Sequence, residues 1–304
     1  MTKRAATFAL IAAVLLVLAG REAVSQSEGL TLEQILSAPF PASLVAAPAG
    51  GKIAWVFNDQ GVRNVWVAEP PHFRGRAVTS YQEDDGQDLG SLAWTPDAEA
   101  IVYVRGGNPN RQGKYPNPTS DPRGIEQAVW VASLTGGEPR KLGEGASPAV
   151  SPRGDRVAFV KKDQIWWAPL EKGGEAEQIH VRGRPISLRW SRDGSQLAFV
   201  SRRDGHSFIG VWDSAGHTVR YLDASVDRDS HPAWSPDGKR IAFIRVPASR
   251  YLFTFGPHRS AEPWSLRAAD VASGEGREIW KASEGRGSVF RNVLAKDPLL
   301  WGAD

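Results

Sequence analysis

A short unit that returns along the chain limits what it can fold into more than any other feature. In Trp234-Ser235-Pro236-Asp237-Gly238-Lys239-Arg240-Ile241-Ala242-Phe243-Ile244, a strand end, a tight turn and a second strand follow in order. Pro236 presets φ near about −65°, Asp237 can bond back to nearby backbone, and Gly238 tolerates positive φ. Ile241 to Ile244 is a short apolar run of β-favouring residues. The unit returns as Trp94-Thr95-Pro96-Asp97 before Ile101-Val102-Tyr103-Val104, and as Val150-Ser151-Pro152-Arg153-Gly154 before Val157-Ala158-Phe159-Val160. It returns again as Trp190-Ser191-Arg192-Asp193-Gly194 before Leu197-Ala198-Phe199-Val200, and a degenerate first copy, Ala47 to Gly51, precedes Ile53-Ala54-Trp55-Val56. The second strand always carries an aromatic: Trp55, Tyr103, Phe159, Phe199 or Phe243.

Behind each copy stands a third strand centred on tryptophan: Val65-Trp66-Val67, Val129-Trp130-Val131, Ile165-Trp166-Trp167, Val211-Trp212 and Trp264-Ser265-Leu266. A fourth strand follows, as in Glu138 to Leu142 or Thr218 to Leu222. Four short strands repeated at this period predict an all-β chain, a β-propeller of four-stranded antiparallel blades. The tryptophans then read as core or inter-blade packing residues and the Pro-Asp-Gly segments as turn formers, so both specify fold rather than chemistry.

Deviations from the period are informative. Val150, Trp190 and Trp234 are spaced by 40 and 44 residues, close to a bare blade, whereas Trp94 to Val150 takes 56. The excess is a Pro/Gly/Asn-rich insertion, Gly106 to Gln127, between second and third strands. A comparable insertion, Val246 to Pro263, carries Tyr251, Phe253, Phe255 and His258. In a meandering blade both would project from one face, and inserted loops on a rigid scaffold tend to carry function. Leu299-Leu300-Trp301-Gly302-Ala303-Asp304 matches the opening of the unit, with Trp301 and Asp304 in the Trp and Asp places. The expectation is five blades plus the start of a sixth, cut from a longer protein, over residues 44–304.

The 304 residues contain 31 Gly, 21 Pro and 12 Trp, a mixture suited to many short strands and turns. Lys3, Arg4 and Arg21 against Glu22 supply +2 of the formal net charge of +3, leaving +1 for the rest. No basic cluster is interleaved with aromatics, so the charge gives no support to nucleic acid or an anionic membrane as partner. With no cysteine there is no disulfide, thiol catalysis or cysteine-bound zinc. Lys3-Arg4, the apolar run Ala5 to Gly20 and Ala23-Val24-Ser25 read as a signal peptide cleaved after Ser25, for a periplasmic or secreted protein. Left uncleaved, the same stretch would be a membrane anchor. Residues 26–43 form an N-terminal segment, in which Thr31 and Gln34 make a capping-box pattern for one short helix ended by Pro39 and Pro41.

Chemistry is harder to find. A nucleophile elbow needs glycines two residues either side of its serine, and Ser288 in Gly287-Ser288-Val289 comes nearest and fails. His72, His180, His206, His217, His231 and His258 are scattered without metal spacing. Asp84-Asp85 and Asp227-Arg228-Asp229 read as solvated residues of inter-blade loops. No phosphate-cradling or dinucleotide motif is present. The residues alone assign no catalytic, cofactor-binding or metal-binding position, and no cofactor.

The Trp-Ser-Pro-Asp-Gly-Lys-Arg-Ile-Ala-Phe unit with Val-Trp-Val-Ala strands behind it resembles the propeller of TolB-type proteins. It resembles still more the N-terminal propeller of exported bacterial prolyl oligopeptidase-family serine peptidases, of the dipeptidyl peptidase IV and acylaminoacyl-peptidase kind. Ser230-His231-Pro232, Arg245-Val246-Pro247 and Glu262-Pro263-Trp264-Ser265 fit that pattern, and the likeness covers roughly Leu30 to Asp304. It implies a propeller that gates short peptides to an α/β-hydrolase domain in cis, where the family keeps its serine, aspartate and histidine. The family's dipeptidyl peptidase IV branch also uses a Glu-Glu pair in its propeller, and this chain has none. The other reading implied is a non-enzymatic TolB-like propeller that binds a protein or peptide in the periplasm.

Overall fold

The structure is a computed structural model, and it describes residues 30–122, 124–171, 173–248, 263–283 and 299–302. The expected signal peptide lies outside these residues, as does nearly all of the second insertion. The chain divides into two compact units, 1–38 and 39–304. In the first, α1 (Leu32–Leu36) has the expected capping box: the Thr31 hydroxyl accepts from Gln34 N at 3.1 Å, and Gln34 Oε1 accepts from Thr31 N at 2.9 Å. No helix among the described residues is long and apolar enough to cross a membrane.

The second unit is a succession of four-stranded antiparallel sheets, the all-β propeller architecture that the repeat predicts. Blade one comprises β1 (Phe40–Ala46), β2 (Ile53–Asp59), β3 (Val62–Ala68) and β4 (Arg76–Ala77); β1 thus begins in the segment leading into the repeats. Blade two comprises β5 (Leu89–Trp94), β6 (Ala100–Arg105), β7 (Ala128–Ser133) and β8 (Arg140–Glu144). Blade three comprises β9 (Ala146–Val150), β10 (Arg156–Lys161), β11 (Gln164–Pro169) and β12 (Glu177–Ile179). Blade four runs through β13 (Arg184–Trp190), β14 (Gln196–Arg202), β15 (Ser207–Asp213) and β16 (Thr218–Leu222). Blade five runs through β17 (Arg228–Trp234), β18 (Arg240–Val246), β19 (Ser265–Asp270) and β20 (Gly276–Lys281), joined to blade four by one parallel bridge, Ser207 to Arg228. The first strands touch in succession: β1 on β5, β5 on β9, β9 on β13 and β13 on β17.

The strand period of two explains how each blade serves two neighbours. In β6, Ile101 and Tyr103 pack with Ala54, Val65 and Val67 of blade one, while Val102 and Val104 pack with Val157 and Phe159 of blade three. The same alternation places Phe199 against blade three and Ala198 and Val200 against blade five. Tyr103, Phe159, Phe199 and Phe243 are fully buried. Each such side chain contributes roughly 1.5–3 kcal/mol by leaving water. The third-strand tryptophans join these clusters, Trp212 fully and Trp130, Trp166 and Trp167 in part.

Each turn is held by more than its Pro-Asp-Gly. The Ser235 hydroxyl donates to Asp237 Oδ1 at 2.6 Å and accepts from Arg240 N at 2.9 Å, while Lys239 N donates to Asp237 at 3.1 Å. Thr95 and Ser191 repeat the arrangement with Asp97 and Asp193. Thr95, Ser151, Ser191 and Ser235 are all buried, because the hydroxyl replaces a ladder partner at the sheet's end. Gly238 sits at φ +69°, as the turn demands.

Two further regularities fix the blades to one another. Every first strand carries a β-bulge, and the residue in it is left-handed: Ser43, Ser91, Ser147, Ser187 and His231, with φ from 51° to 57°. The residue that closes the bulge offers its carbonyl to the next blade. Trp94 Nε1 donates to Val45 O (3.4 Å), Trp190 Nε1 to Ala149 O (2.9 Å) and Trp234 Nε1 to Arg189 O (3.0 Å). Trp301 Nε1 donates to Ala233 O at 2.7 Å, so the partial sixth unit occupies the same register. Trp190→Phe keeps the ring but strands the Ala149 carbonyl, and should cost about 1 kcal/mol in urea unfolding. Trp190→Ala should cost about 3–5 kcal/mol. No loss for Trp190→Phe would show that the hydrogen bond contributes nothing.

Candidate functional site

Two surfaces gather polar side chains in concave settings. The first is a cavity of about 480 Å3 along the first strands of blades four and five, reaching Trp301. It is lined by Ser187 and His231 from the bulges, by Arg189 and Arg192, and by the indoles of Trp190, Trp234 and Trp301. Burial lowers the pKa of Arg189, and burial together with the Arg189 charge lowers that of His231, so His231 is neutral at pH 7. His231 Nδ1 lies 2.9 Å from Ser230 Oγ, which orients the ring. Guanidinium groups beside apolar indole faces suit a peptide: the cations meet carboxylate or carbonyl oxygens, and the rings cover side chains.

The second surface is a cleft of about 620 Å3 beside the 106–127 insertion, lined by Glu83, Asp84, Asp85, Gln87, Arg105 and Glu126 among others. As expected, the insertion joins the second and third strands of its blade, β6 and β7. It is tied down by Gly106 N to Asp88 O at 2.9 Å, by Gly145 N to Gln127 O at 2.8 Å and by an Asn117–Asp121 turn. Arg105 pairs with Asp85 and lies 4.5 Å over the Tyr81 ring, whose hydroxyl is 2.7 Å from that of Tyr103. Burial raises the pKa of both tyrosines, so they stay protonated. The second insertion's Tyr251, Phe253, Phe255 and His258 lie outside the described residues, and so does Ser288.

The structure corrects one reading. Asp229 is not a solvated loop residue: it lies in β17, only 1% exposed, directly across from Arg245 of β18. Arg245 Nε and Nη2 donate to its two oxygens at 2.7 and 2.9 Å. Asp223 Oδ2 pairs with Arg245 Nη1 at 3.2 Å and accepts from Arg267 Nε at 2.5 Å. Burial pushes the Asp229 carboxyl up to about 6 against the pull of Arg245, and that attraction raises the pKa of Arg245. Sequence spacing held a partial signal, since Arg245 and Arg105 each stand two residues past a second-strand aromatic, and each pairs with an Asp, Arg105 with Asp85 ahead of β5 and Arg245 with Asp229 in β17. Among the histidines, His72, His180 and His217 are exposed, and His206 stacks edge-on with Phe208 at 5.0 Å. No group of three or more His, Asp or Glu able to hold a metal lies among the described residues.

These features define a β-propeller of four-stranded antiparallel blades, with a cavity along its first strands and a cleft beside the 106–127 insertion, and the comparisons agree on that class. No family profile matches the chain. It is 36% identical over 78 residues to the uncharacterized peptidase YuxL of Bacillus subtilis, covering 25% of this chain and 12% of that protein. It is 30% identical over 144 residues to tricorn protease homolog 1 of Streptomyces coelicolor, covering 44% of this chain and 13% of that protein. The chain thus spans a small part of the curated relatives it matches. A puromycin-hydrolyzing peptidase of Mycobacterium tuberculosis aligns with a TM-score of 0.51 at 16% identity, over 83% of this chain and 46% of that one. Hydrazine synthase of Kuenenia stuttgartiensis aligns at 0.53 and 16% identity, over 79% and 65%. TolB of Acinetobacter baumannii aligns at 0.46 and 14%, over 81% and 55%. At these identities the two alignments with TM-scores above 0.5 show a shared fold.

The carboxylates give acid stability two opposite signs. Hydrogen bonds from Thr95, from Ser191 and Ser195, and from Ser235 hold Asp97, Asp193 and Asp237 below the ordinary range, Asp193 at about 2. Their stabilisation is complete above the unfolded value of about 3.9 and is lost as pH falls toward about 2. Asp229 works the other way: its contribution is complete below about 4 and is lost as pH rises through about 6. Asp229→Asn should flatten that window in urea unfolding. An unchanged profile would show that the pair is not buried in solution.

Proposed function

We propose that this chain is the scaffold and gate of an exported serine peptidase of the prolyl oligopeptidase family that cleaves short peptides. The observation that carries the reading is sequence likeness to two peptidases, at 36% and 30% identity. In this reading hydrolysis belongs to an α/β-hydrolase domain in cis, because the chain has no Gly-x-Ser-x-Gly. The propeller admits only short or extended peptides, since blades joined by buried cores and indole bonds do not part for a folded protein. Arg189 and Arg192 would hold peptide oxygens while the indoles cover side chains.

Two features support a further blade closing on the first. Leu44 is 69% exposed, whereas Leu92 and Leu188, its counterparts in blades two and four, are 2% and 3% exposed. Trp301 already holds the inter-blade bond from a sixth position. Export rests on residues 1–25.

The protein expressed from its complete reading frame should hydrolyse aminoacyl or dipeptidyl chromogenic substrates, and a serine-reactive phosphonate should abolish turnover. The 304 residues alone should show none. Absent or phosphonate-insensitive turnover would overturn the reading and favour the non-enzymatic, TolB-like propeller that binds a periplasmic protein or peptide.

A further inference from the structure

The cleft beside the 106–127 insertion holds a polar group that the protein leaves unanswered. Gln87 is 3% exposed and lines the cleft, and its Oε1 is buried without a hydrogen-bond partner. The amide orientation is set by its other end: Nε2 faces the carbonyl oxygens of Asp85 at 3.4 Å and Pro116 at 3.5 Å, where an oxygen would be repelled. A buried carbonyl lacking a donor costs free energy, so it marks a place where a donor is wanted.

The surroundings say which kind. Glu83, Asp84, Asp85 and Glu126 line the same cleft. Arg63 pairs with Asp84 at 3.4 Å, Arg105 with Asp85, and Lys141 with Glu126. Glu83 is paired with no cation among the described residues, so the rim keeps a negative bias. An unanswered acceptor on a lining residue and spare negative charge at the rim call for a cation with several N–H donors. We infer that the cleft beside the 106–127 insertion binds a guanidinium group, with Gln87 Oε1 accepting one N–H and Glu83 supplying the counter-charge. Guanidinium is favoured over ammonium because it is the more weakly hydrated ion and its planar fork reaches two acceptors at once. The inference is independent of the peptidase reading, since it needs neither a hydrolase domain nor a peptide terminus.

Calorimetric titration of the 304-residue chain at low ionic strength tests it. Three probes separate the sources: agmatine for a free small molecule, N-acetylarginine amide for a peptide side chain without charged termini, and butylammonium as the competing chemistry. At least one guanidine should bind, butylammonium more weakly, and added salt should weaken both. Gln87→Met should weaken guanidine binding about tenfold or more, yet leave the thermal midpoint of the free protein unchanged or raised, because it removes an unanswered carbonyl. Glu83→Gln, at the rim, should weaken binding about two- to fivefold without affecting folding, and it keeps the test decisive if the Met variant misfolds. Binding of neither guanidine, equal binding of butylammonium, or unaltered binding by these variants would overturn the assignment.

Discussion

The structure depends on a hydrogen bond that crosses from one blade to the next. Within a blade, antiparallel ladders fix everything; between blades, apolar faces meet, and such faces can slide. The bond from a tryptophan indole to the carbonyl that closes the neighbour's bulge removes that freedom. It ties an element of sequence, the tryptophan before Ser-Pro-Asp-Gly, to a backbone irregularity in the preceding repeat. The bulge twists the first strand and turns a carbonyl outward to meet the indole. Blade three lacks the tryptophan and has Val150 in its place; there apolar packing of Val157 and Phe159 on blade two is joined by Arg140 donating to Leu170 O and by the Lys161–Glu144 ion pair at 3.1 Å.

That framework explains where polar groups gather. First strands line the interior, so the bulge residues Ser187 and His231 and the neighbouring Arg189 face one cavity. Insertions between second and third strands leave the framework undisturbed, and the 106–127 loop builds a second, acidic cleft at no cost to the ladders. The Asp229–Arg245 pair sits between these regimes, a cross-strand pair buried where two strands meet the inter-blade loop.

The repeat, the strand count per blade and the helix at Thr31 were legible because each rests on local chemistry: turn residues, alternation and a capping box. The serine of the turn was visible as a letter, but its role was not, because its partner, Arg240 N, lies five residues on. The bulges were invisible, since serine at φ near 50° has no sequence signature. Asp229 was misread because acidic runs beside turns are usually solvated, and only strand register shows that Arg245 stands opposite. Gln87 carries no signal at all in sequence, since an unanswered carbonyl exists only once neighbours are placed.

Exchange of the tryptophan indole protons, followed by NMR in heavy water, bears most directly on this account. The indole N–H groups of Trp94, Trp190 and Trp234 are bonded across blades and should exchange slowly, as groups that open only with the propeller itself. Fast exchange at all three, in a chain whose strand amides remain protected, would contradict the claim that these bonds hold the blades in register.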